Sequence, residues 1–255
     1  GFIGRALVAE LLRQGFHVRA LVRDSQQTSM FPQAEFAVAD VVESPAELVE
    51  ALQGIEAVIH LAGVVWGEQE QMQRIMVDGT ANLIEAMRQT DVQHLVLAST
   101  VAVYDWCLVA DRLTEASPLA STASLEQGAY AQAKGRQETI ARQLCRRYGI
   151  RLTVLRPAAV VAEDNYATAD LGPRLGPVQF VISPLRRLRL VGLAPAVAAF
   201  AEACCVTVPD ALAINLVDNR TVTAWCLAKG MPGRAPLLLP LPYFGFMTLA
   251  RLVYP

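Results

Sequence analysis

Tyr130 and Lys134 have the residue types and the spacing to carry proton-transfer chemistry. Residues four apart on a helix share one face, so a helix would bring the phenol and the ammonium together. A free phenol has a pKa of about 10, but a nearby ammonium stabilises the phenolate and lowers that pKa. Ser99 and Thr100 supply hydroxyls that could hold a substrate oxygen. This set predicts acid–base chemistry at a hydroxyl or carbonyl group.

These side chains need a helix and a strand to position them, and the sequence predicts both. Residues 130–149, "YAQAKGRQETIARQLCRRYG", are typical of a long helix that ends at a glycine. Residues 94–99, "HLVLAS", are typical of a short apolar strand, so the two hydroxyls fall at its carboxyl end. Tyr-x-x-x-Lys alone is common on helices, whereas its combination with a strand-end hydroxyl is much more specific.

The first two-thirds of the chain alternates strand and helix, which predicts an α/β fold with a doubly wound parallel (Rossmann) sheet. After Pro157 the alternation stops, and proline and glycine interrupt residues 171–184. We therefore predict a Rossmann domain over residues 1–160. Residues 161–255 are predicted to form a small, divergent substrate-binding lobe with an apolar C-terminal segment.

The chain opens with "GFIG", directly before an amphipathic helical pattern at residues 5–15. Glycines at a helix N-terminus let backbone amides approach a phosphate, although two glycines before a helix are more often an ordinary turn. A dinucleotide loop also needs a strand before it. We therefore expect this chain to be a fragment that lacks the first strand, roughly ten residues. Such a fragment should be unstable and bind cofactor weakly.

Three strand ends add candidates for cofactor contact. Arg23 follows the second strand, where an arginine can accept a 2′-phosphate and so favours NADP over NAD. Asp40 ends the third strand and could meet an adenine amino group or simply form a turn. Small residues follow the fourth strand at 61–63 and permit a close backbone approach. His60, beside them, is interpreted as a core histidine.

Composition excludes several other classes of protein. The 255 residues are 53% hydrophobic and 18% charged, with a formal net charge of -2, so no basic face for nucleic acid is expected. The five cysteines include no C-x-x-C pair, so we predict no metal site and no disulfide framework. A cytoplasmic location fits this cysteine usage.

Two apolar stretches require a test for membrane contact. Residues 190–208 contain Pro195 and Glu202, so they predict a buried helix and strand rather than a membrane span. Residues 236–255 could form a helix only after Pro242. This C-terminal segment is interpreted as a packed helix, with peripheral contact to a membrane as the alternative.

Taken in order, "GFIGRAL", "DVV", "VIHLAG", "DGTANLIEA", "LVLASTVAVYD", "YAQAK" and "VLRPAAV" resemble the extended short-chain dehydrogenase/reductases, the NAD(P)-dependent epimerase/dehydratase group. The resemblance covers about the first 160 residues. It implies that Tyr130 is the catalytic acid/base, that Lys134 is its partner and holds the nicotinamide ribose, and that Thr100 is the catalytic hydroxyl. The cofactor-binding residues implied by the resemblance and the strand-end patterns are Gly1, Phe2, Ile3, Gly4, Arg23, Asp40, Val41, Leu61, Ala62, Gly63, Ser99, Tyr130, Lys134 and Pro157.

The sequence departs from that family at several places, two of which are the following. Met76 stands where members often have asparagine, and the usual glycine after Arg156-Pro157 is missing. Within this family, Arg23 and the apolar C-terminal segment favour an NADP-dependent oxidoreductase, with NAD as the alternative cofactor, acting on a small or sterol-like substrate. A nucleotide-sugar epimerase or dehydratase is the second hypothesis, with Arg186, Arg187 and Arg189 gripping a diphosphate. A non-catalytic NADP-binding assembly protein is the third, and a homodimer is implied by the family.

Overall fold

A computed structural model describes residues 1–26, 31–109, 112–121, 128–163, 165, 171–206, 212–230 and 237–242. The α-helices in these residues are α1 Phe2–Arg13, α2 Pro45–Ala51, α3 Gln69–Gln73, α4 Gly79–Arg88, α5 Ala129–Tyr148, α6 Leu193–Cys205 and α7 Ala224–Gly230. The strands are β1 Arg19–Val22, β2 Glu35–Val38, β3 Val58–His60, β4 His94–Ala98, β5 Arg151–Pro157, β6 Ala159–Val161, β7 Arg174–Leu175, β8 Val178–Ile182, β9 Arg187–Leu188, β10 Leu190–Gly192, β11 Leu212–Leu216, β12 Val222–Thr223 and β13 Leu237–Leu241. A π-helical turn, Arg74–Asp78, joins α3 to α4, and a 3₁₀ turn, Val101–Val103, follows β4.

The chain divides into two compact units. The first contains Gly1–Pro157 and Ala194–Leu216, and the second contains Ala158–Leu193 and Val217–Pro255. The boundary after Pro157 lies close to the predicted one at residue 160. The structure differs from the prediction at α6 and β11, which were assigned to the second lobe. They group with the first unit because β11 pairs with β5.

The first unit carries a parallel sheet of four strands in the order β11-β5-β4-β3. Every residue of β4 is buried, as expected for a strand covered by helices on both faces. The predicted α/β class with a parallel, Rossmann-type sheet is thus confirmed. Strands β1 and β2 form a separate parallel pair, and no pairing joins β1 to β3 among the described residues. Whether a further strand belongs before Gly1 stays a prediction.

Apolar side chains of α2, α4 and α5 pack on this sheet. Leu48, Ile84, Leu95 and Leu152 are at most 1% exposed and belong to one core cluster. Helix α4 begins at a glycine because the chain passes very close to its first turn. A Cβ built at Gly79 would lie 2.7 Å from Val41 Cγ2, which is closer than real Cβ contacts.

The second unit has its own small core, formed by Leu171, Val181, Leu188, Leu190 and Leu227. Its strands form the sheets β10-β6, β12-β9 and β13-β8-β7. The basic cluster predicted from sequence lies here, with all three arginines exposed: Arg186, Arg187 and Arg189. Residues 243–255, to which a C-terminal helix and membrane contact were assigned, lie outside the described residues.

The apolar stretch at residues 190–208 forms β10 and α6 as far as it is described. None of the helices in the described part of the chain combines the length and apolar character that a membrane span requires.

Candidate active site

Strand β4 places the two predicted hydroxyls at its carboxyl end, but on different partners. Thr100 caps the 3₁₀ turn, and its Oγ1 accepts a hydrogen bond from the Ala102 amide at 3.2 Å. The same side chain lies close enough to the Tyr130 hydroxyl to act on its pKa. Ser99 is buried and instead donates its hydroxyl to Glu138. Thr100 is therefore the hydroxyl beside the phenol, and Ser99 belongs to the support beneath it.

Helix α5 carries Tyr130 in its first turn and Lys134 one turn later. Burial raises the pKa of Tyr130, and its hydrogen bond with Thr100 acts in the opposite direction. Lys134 is 4% exposed, and its Nζ donates to the Ala98 carbonyl at 2.7 Å and to Gln137 Oε1 at 2.9 Å. Burial lowers the pKa of Lys134 to about 8, and the charge of Glu138 opposes this effect.

The sequence therefore brings Thr100 and Tyr130 together directly and places Lys134 on the next turn of the same helix. Such a set can hold an oxygen, give it a proton or take one from it. With its raised pKa, Tyr130 is protonated at neutral pH in this structure, so it is ready to act as an acid. A phenolate at this position would need the charge of a neighbouring ammonium.

Apolar side chains pack against Tyr130. Met72, Met76 and Ala133 are buried together, and Val64 and Tyr130 pack against them. Met76 lies in the π-helical turn and is fully buried. The side chain that replaces the family's frequent asparagine is therefore part of this apolar wall and supplies no polar group to the site.

Below the site lies a buried ion pair that the sequence analysis did not predict. Arg156 donates to Glu138 through Nε at 2.9 Å and through Nη2 at 2.7 Å. Its Nη1 donates to the Tyr104 hydroxyl at 2.7 Å, which in turn donates to Asn215 Oδ1 at 2.8 Å. Both charged side chains are 2% exposed. The network ties α5 to the ends of β4, β5 and β11.

A second buried chain of hydrogen bonds runs from Lys134 through Gln137 and Thr80 to His60. Gln137 Nε2 donates to Thr80 Oγ1 at 2.8 Å, and His60 Nε2 lies 2.9 Å from the same oxygen. Burial, with the charge of Lys134, lowers the pKa of His60 to about 3. The interpretation of His60 as a satisfied core histidine agrees with this geometry.

The predicted dinucleotide loop forms the start of α1. Gly1 is the N-cap and Phe2, Ile3 and Gly4 are in the first turn, where the first intrahelical bond runs from the Arg5 amide to the Gly1 carbonyl at 3.1 Å. The first turn holds no acidic side chain, so its amides suit an anion. A Cβ at Gly4 would lie 3.8 Å from Leu61 Cδ1, so the helix start meets the loop after β3.

That loop also reaches Lys134. A Cβ built at Gly63 would lie 3.6 Å from Lys134 Nζ, which is an ordinary contact distance. Leu61 and Ala62 are half-buried and Gly63 is exposed. The residues present fit a dinucleotide, since the amide-bearing helix start, the small-residue loop and the lysine follow one another around the same strand end.

Four predicted cofactor contacts remain, and they differ in exposure and in their contacts. Arg23 is exposed immediately after β1. Asp40 Oδ1 accepts the Val42 amide at 2.7 Å, so one carboxylate oxygen forms a turn. The Val41 side chain is 8% exposed and packs in the core, which leaves only its backbone for a ligand. Pro157 ends β5 and is buried.

A family model described as NAD(P)H-binding matches residues 1–177. The chain belongs to this NAD(P)H-binding family. The resemblance to the extended short-chain dehydrogenase/reductases is confirmed. NAD(P) is therefore the cofactor that membership of this family implies.

Curated relatives match part of the chain. The human sterol-4-alpha-carboxylate 3-dehydrogenase, decarboxylating, is 35% identical over 105 residues, covering 40% of this chain and 27% of that protein. Cinnamoyl-CoA reductase 1 of Petunia hybrida is 34% identical over 113 residues, covering 41% of this chain and 34% of that protein. The matched segment thus spans about a third or less of these relatives.

Solved structures share the fold over nearly the whole chain. MoeE5 in complex with UDP-glucose and NAD is 22% identical with a TM-score of 0.76, covering 94% of this chain and 82% of that one. The UDP-glucose 4-epimerase of Thermotoga maritima is 20% identical with a TM-score of 0.75, covering 94% of this chain and 83% of that one. At this identity the likeness concerns the fold alone.

The described residues contain no group of three or more His, Cys, Asp or Glu side chains that could hold a metal ion. All five cysteines are free thiols: Cys107, Cys145, Cys204, Cys205 and Cys226.

Proposed function

We propose that the protein is an NADP-dependent oxidoreductase that reduces a carbonyl group of a small, largely apolar molecule, with Tyr130 as the acid. The observation that carries this proposal is the placement of the Thr100 hydroxyl beside Tyr130, with the buried Lys134 on the next turn. A binding protein has no need of this arrangement.

When bound, the nicotinamide supplies or accepts the hydride at the substrate carbon. The side chains of this chain handle the oxygen. Thr100 holds the carbonyl oxygen beside the phenol, and Tyr130 gives it a proton as negative charge develops there. Lys134 stabilises the resulting phenolate until the proton is replaced from solvent. In the opposite direction the same phenolate takes the proton of a hydroxyl group.

Two apolar loops at the same edge of the sheet favour an apolar substrate. Strands β3 and β4 are parallel, so the loops that follow them emerge side by side. The first exposes Val65 and Trp66, and the second exposes Trp106 and Leu108. Aromatic side chains at a site entrance suit ring-bearing molecules better than charged ones.

Replacing Tyr130 by phenylalanine tests the proposal. We expect kcat/KM for NADPH-dependent carbonyl reduction to fall by about 10²–10⁴-fold, the usual contribution of a positioned acid, with NADPH binding retained. Tyr148→Phe is the matched control, because it removes a phenol hydroxyl from the opposite end of α5. The substrate panel should include steroid ketones, aromatic aldehydes and thioesters, and UDP-glucose.

The outcomes separate the three hypotheses. Net NADPH consumption that depends on Tyr130 supports the reductase. Conversion of UDP-glucose without net change in the cofactor indicates an epimerase, for which the likeness to nucleotide-sugar enzymes over both units is the supporting observation. Tight NADPH binding with no turnover on any substrate, or turnover unchanged in Tyr130→Phe, contradicts the proposal and favours an assembly protein.

A further inference from the structure

Gln137 lies one turn beyond Lys134 on α5 and is 1% exposed, yet both ends of its amide are engaged. Its Oε1 accepts from Lys134 Nζ at 2.9 Å, and its Nε2 donates to Thr80 Oγ1 at 2.8 Å. The orientation of this amide follows from the chemistry of its partner, because a lysine ammonium only donates.

The next members of the chain are also fixed in their roles. Thr80 has one hydroxyl proton, which it donates to the Met76 carbonyl at 2.5 Å. Its oxygen must therefore accept from both Gln137 Nε2 and His60 Nε2. His60 accordingly carries its proton on Nε2. This series of hydrogen bonds holds Gln137 in one orientation from two sides, and each of its donors points in a fixed direction.

These contacts account for two of the three N–H groups of Lys134. One points to the Ala98 carbonyl and one to Gln137. Among the described residues, the third has no hydrogen-bond partner. Because an ammonium is tetrahedral, fixing two N–H directions fixes the third. The nitrogen lies beside the loop at Gly63, 3.6 Å from the position of a Cβ there.

We propose that Gln137 is a positioning residue of the active site: with the Ala98 carbonyl it fixes the Lys134 ammonium so that one N–H stays available to the phenol side or to a bound cofactor. Thr80 and His60 hold Gln137 in turn. This inference rests on the proposed function for its catalytic meaning, while the positioning itself can be tested separately.

The charged and titratable groups around Lys134 determine how its ammonium should respond to a substitution at Gln137. Glu138, on the same helix as Lys134, is already paired with Arg156 of β5. Tyr130 lies one turn before Lys134. His60, on β3, is neutral at physiological pH because of its low pKa. Gln137 thus adds a neutral acceptor. An apolar residue there should destabilise the ammonium, and a carboxylate should stabilise it.

The chain contains only two lysines, Lys134 and Lys229, so ¹³Cε-lysine labelling gives two NMR resonances to titrate. Lys229 is exposed and serves as the internal reference, and Lys229→Arg assigns the pair. We expect the pKa of Lys134 near 8 in the wild type. Gln137→Met should lower it by about one unit, the size expected for one lost hydrogen bond to a charge, and Gln137→Glu should raise it.

A matched pair of threonine variants controls for the loss of a buried hydroxyl. Thr80→Val breaks the contact with His60, whereas Thr153→Val breaks the similar 3.1 Å contact with His94 at the other end of the sheet. Only Thr80→Val should move the pKa of Lys134. Equal shifts in both variants, or none in folded Gln137→Met and Gln137→Glu, would overturn the positioning role. If Gln137→Met does not fold, the isosteric Gln137→Glu decides alone.

Activity provides the second readout. The pH profile of kcat/KM for carbonyl reduction should shift in Gln137→Met and Gln137→Glu in the directions that the lysine titration gives. Titration shifts without any hydride transfer in the wild type would refute the proposed function and leave the positioning of Lys134 intact. Hydride transfer with an unchanged pH profile in both variants would refute the catalytic meaning of Gln137.

Discussion

The buried Glu138–Arg156 pair offers the sharpest test of how this fold is stabilised. We consider the single variants Glu138→Met and Arg156→Met and the double variant. Each charged group is 2% exposed, and the guanidinium binds the carboxylate through two of its nitrogens. Removing one partner leaves the other charge buried without its main counter-charge, which costs about 3–5 kcal/mol in the free energy of unfolding. In Arg156→Met, Arg142 Nη2 remains 3.7 Å from the Glu138 carboxylate.

The double variant should cost much less than the sum of the single ones. It buries no charge, and Tyr104 keeps its hydrogen bond to Asn215. The main remaining loss is the acceptor of the Ser99 hydroxyl, about 1–3 kcal/mol. The coupling energy of the cycle should therefore be at least about 3 kcal/mol, as expected for residues in one network.

Urea unfolding followed by circular dichroism measures these quantities, with the free energy taken by linear extrapolation. The exposed pair Arg74–Glu43 is the control, since its side chains are 58% and 63% exposed and such pairs contribute about 0–1 kcal/mol. The reasoning would be refuted if Glu138→Met cost no more than Glu43→Met, or if the two buried substitutions were additive.

Three further predictions concern the helix starts, acid and the cofactor. Gly79→Ala should lower the free energy of unfolding by about 1–3 kcal/mol, because its Cβ would overlap Val41. Gly4→Ala should leave stability intact and weaken NADPH binding. Thermal melts and NADPH titrations of the two variants test this. His60 has a folded pKa of about 3 against an ordinary 6.5, so the unfolded state takes up the proton first. Stability should be complete above pH 6.5 and fall by up to about 1.4 kcal/mol per pH unit toward pH 3. His60→Gln should remove that slope, and an unchanged slope contradicts the assignment. Arg23→Ala should weaken NADPH binding and leave NADH binding unchanged; equal wild-type affinities for the two cofactors would exclude a role for Arg23.

The sequence predicted those parts of the protein that depend on local pattern. The alternation of apolar strands and amphipathic helices is visible in the residues themselves, and the Tyr130–Lys134 spacing needs only a helix to become a pair. Ser99 and Thr100 were both placed correctly at a strand end. The family resemblance singled out Thr100 as the catalytic hydroxyl, whereas the local pattern alone left Ser99 and Thr100 equivalent, because the choice depends on the 3₁₀ turn that Thr100 caps.

The supporting network was missed for a different reason. Gln137 and Glu138 stand three and four residues after Lys134, so their place on the inner face of α5 could have been deduced. Their partners could not, since Arg156 comes from a strand and Thr80 from another helix. Similarly, the burial of Val41 depends on the close approach of α4, which no short pattern in the sequence encodes, whereas the local turn at Asp40 was one of its two predicted interpretations.

The order of pairing at strand β5 has a consequence for how the protein is made. Its partner β11 is synthesised only after residues 158–193, which belong to the other unit. During translation, one edge of β5 therefore stays unpaired until Leu212–Leu216 has been synthesised. The hydroxyl of Tyr104 likewise lacks its acceptor, Asn215, until then. The second unit is also incomplete until α7 and β13 have been synthesised. The first unit is fully synthesised only after residues 158–193 of the other, so a nascent chain paused before residue 212 should present an open strand edge to chaperones.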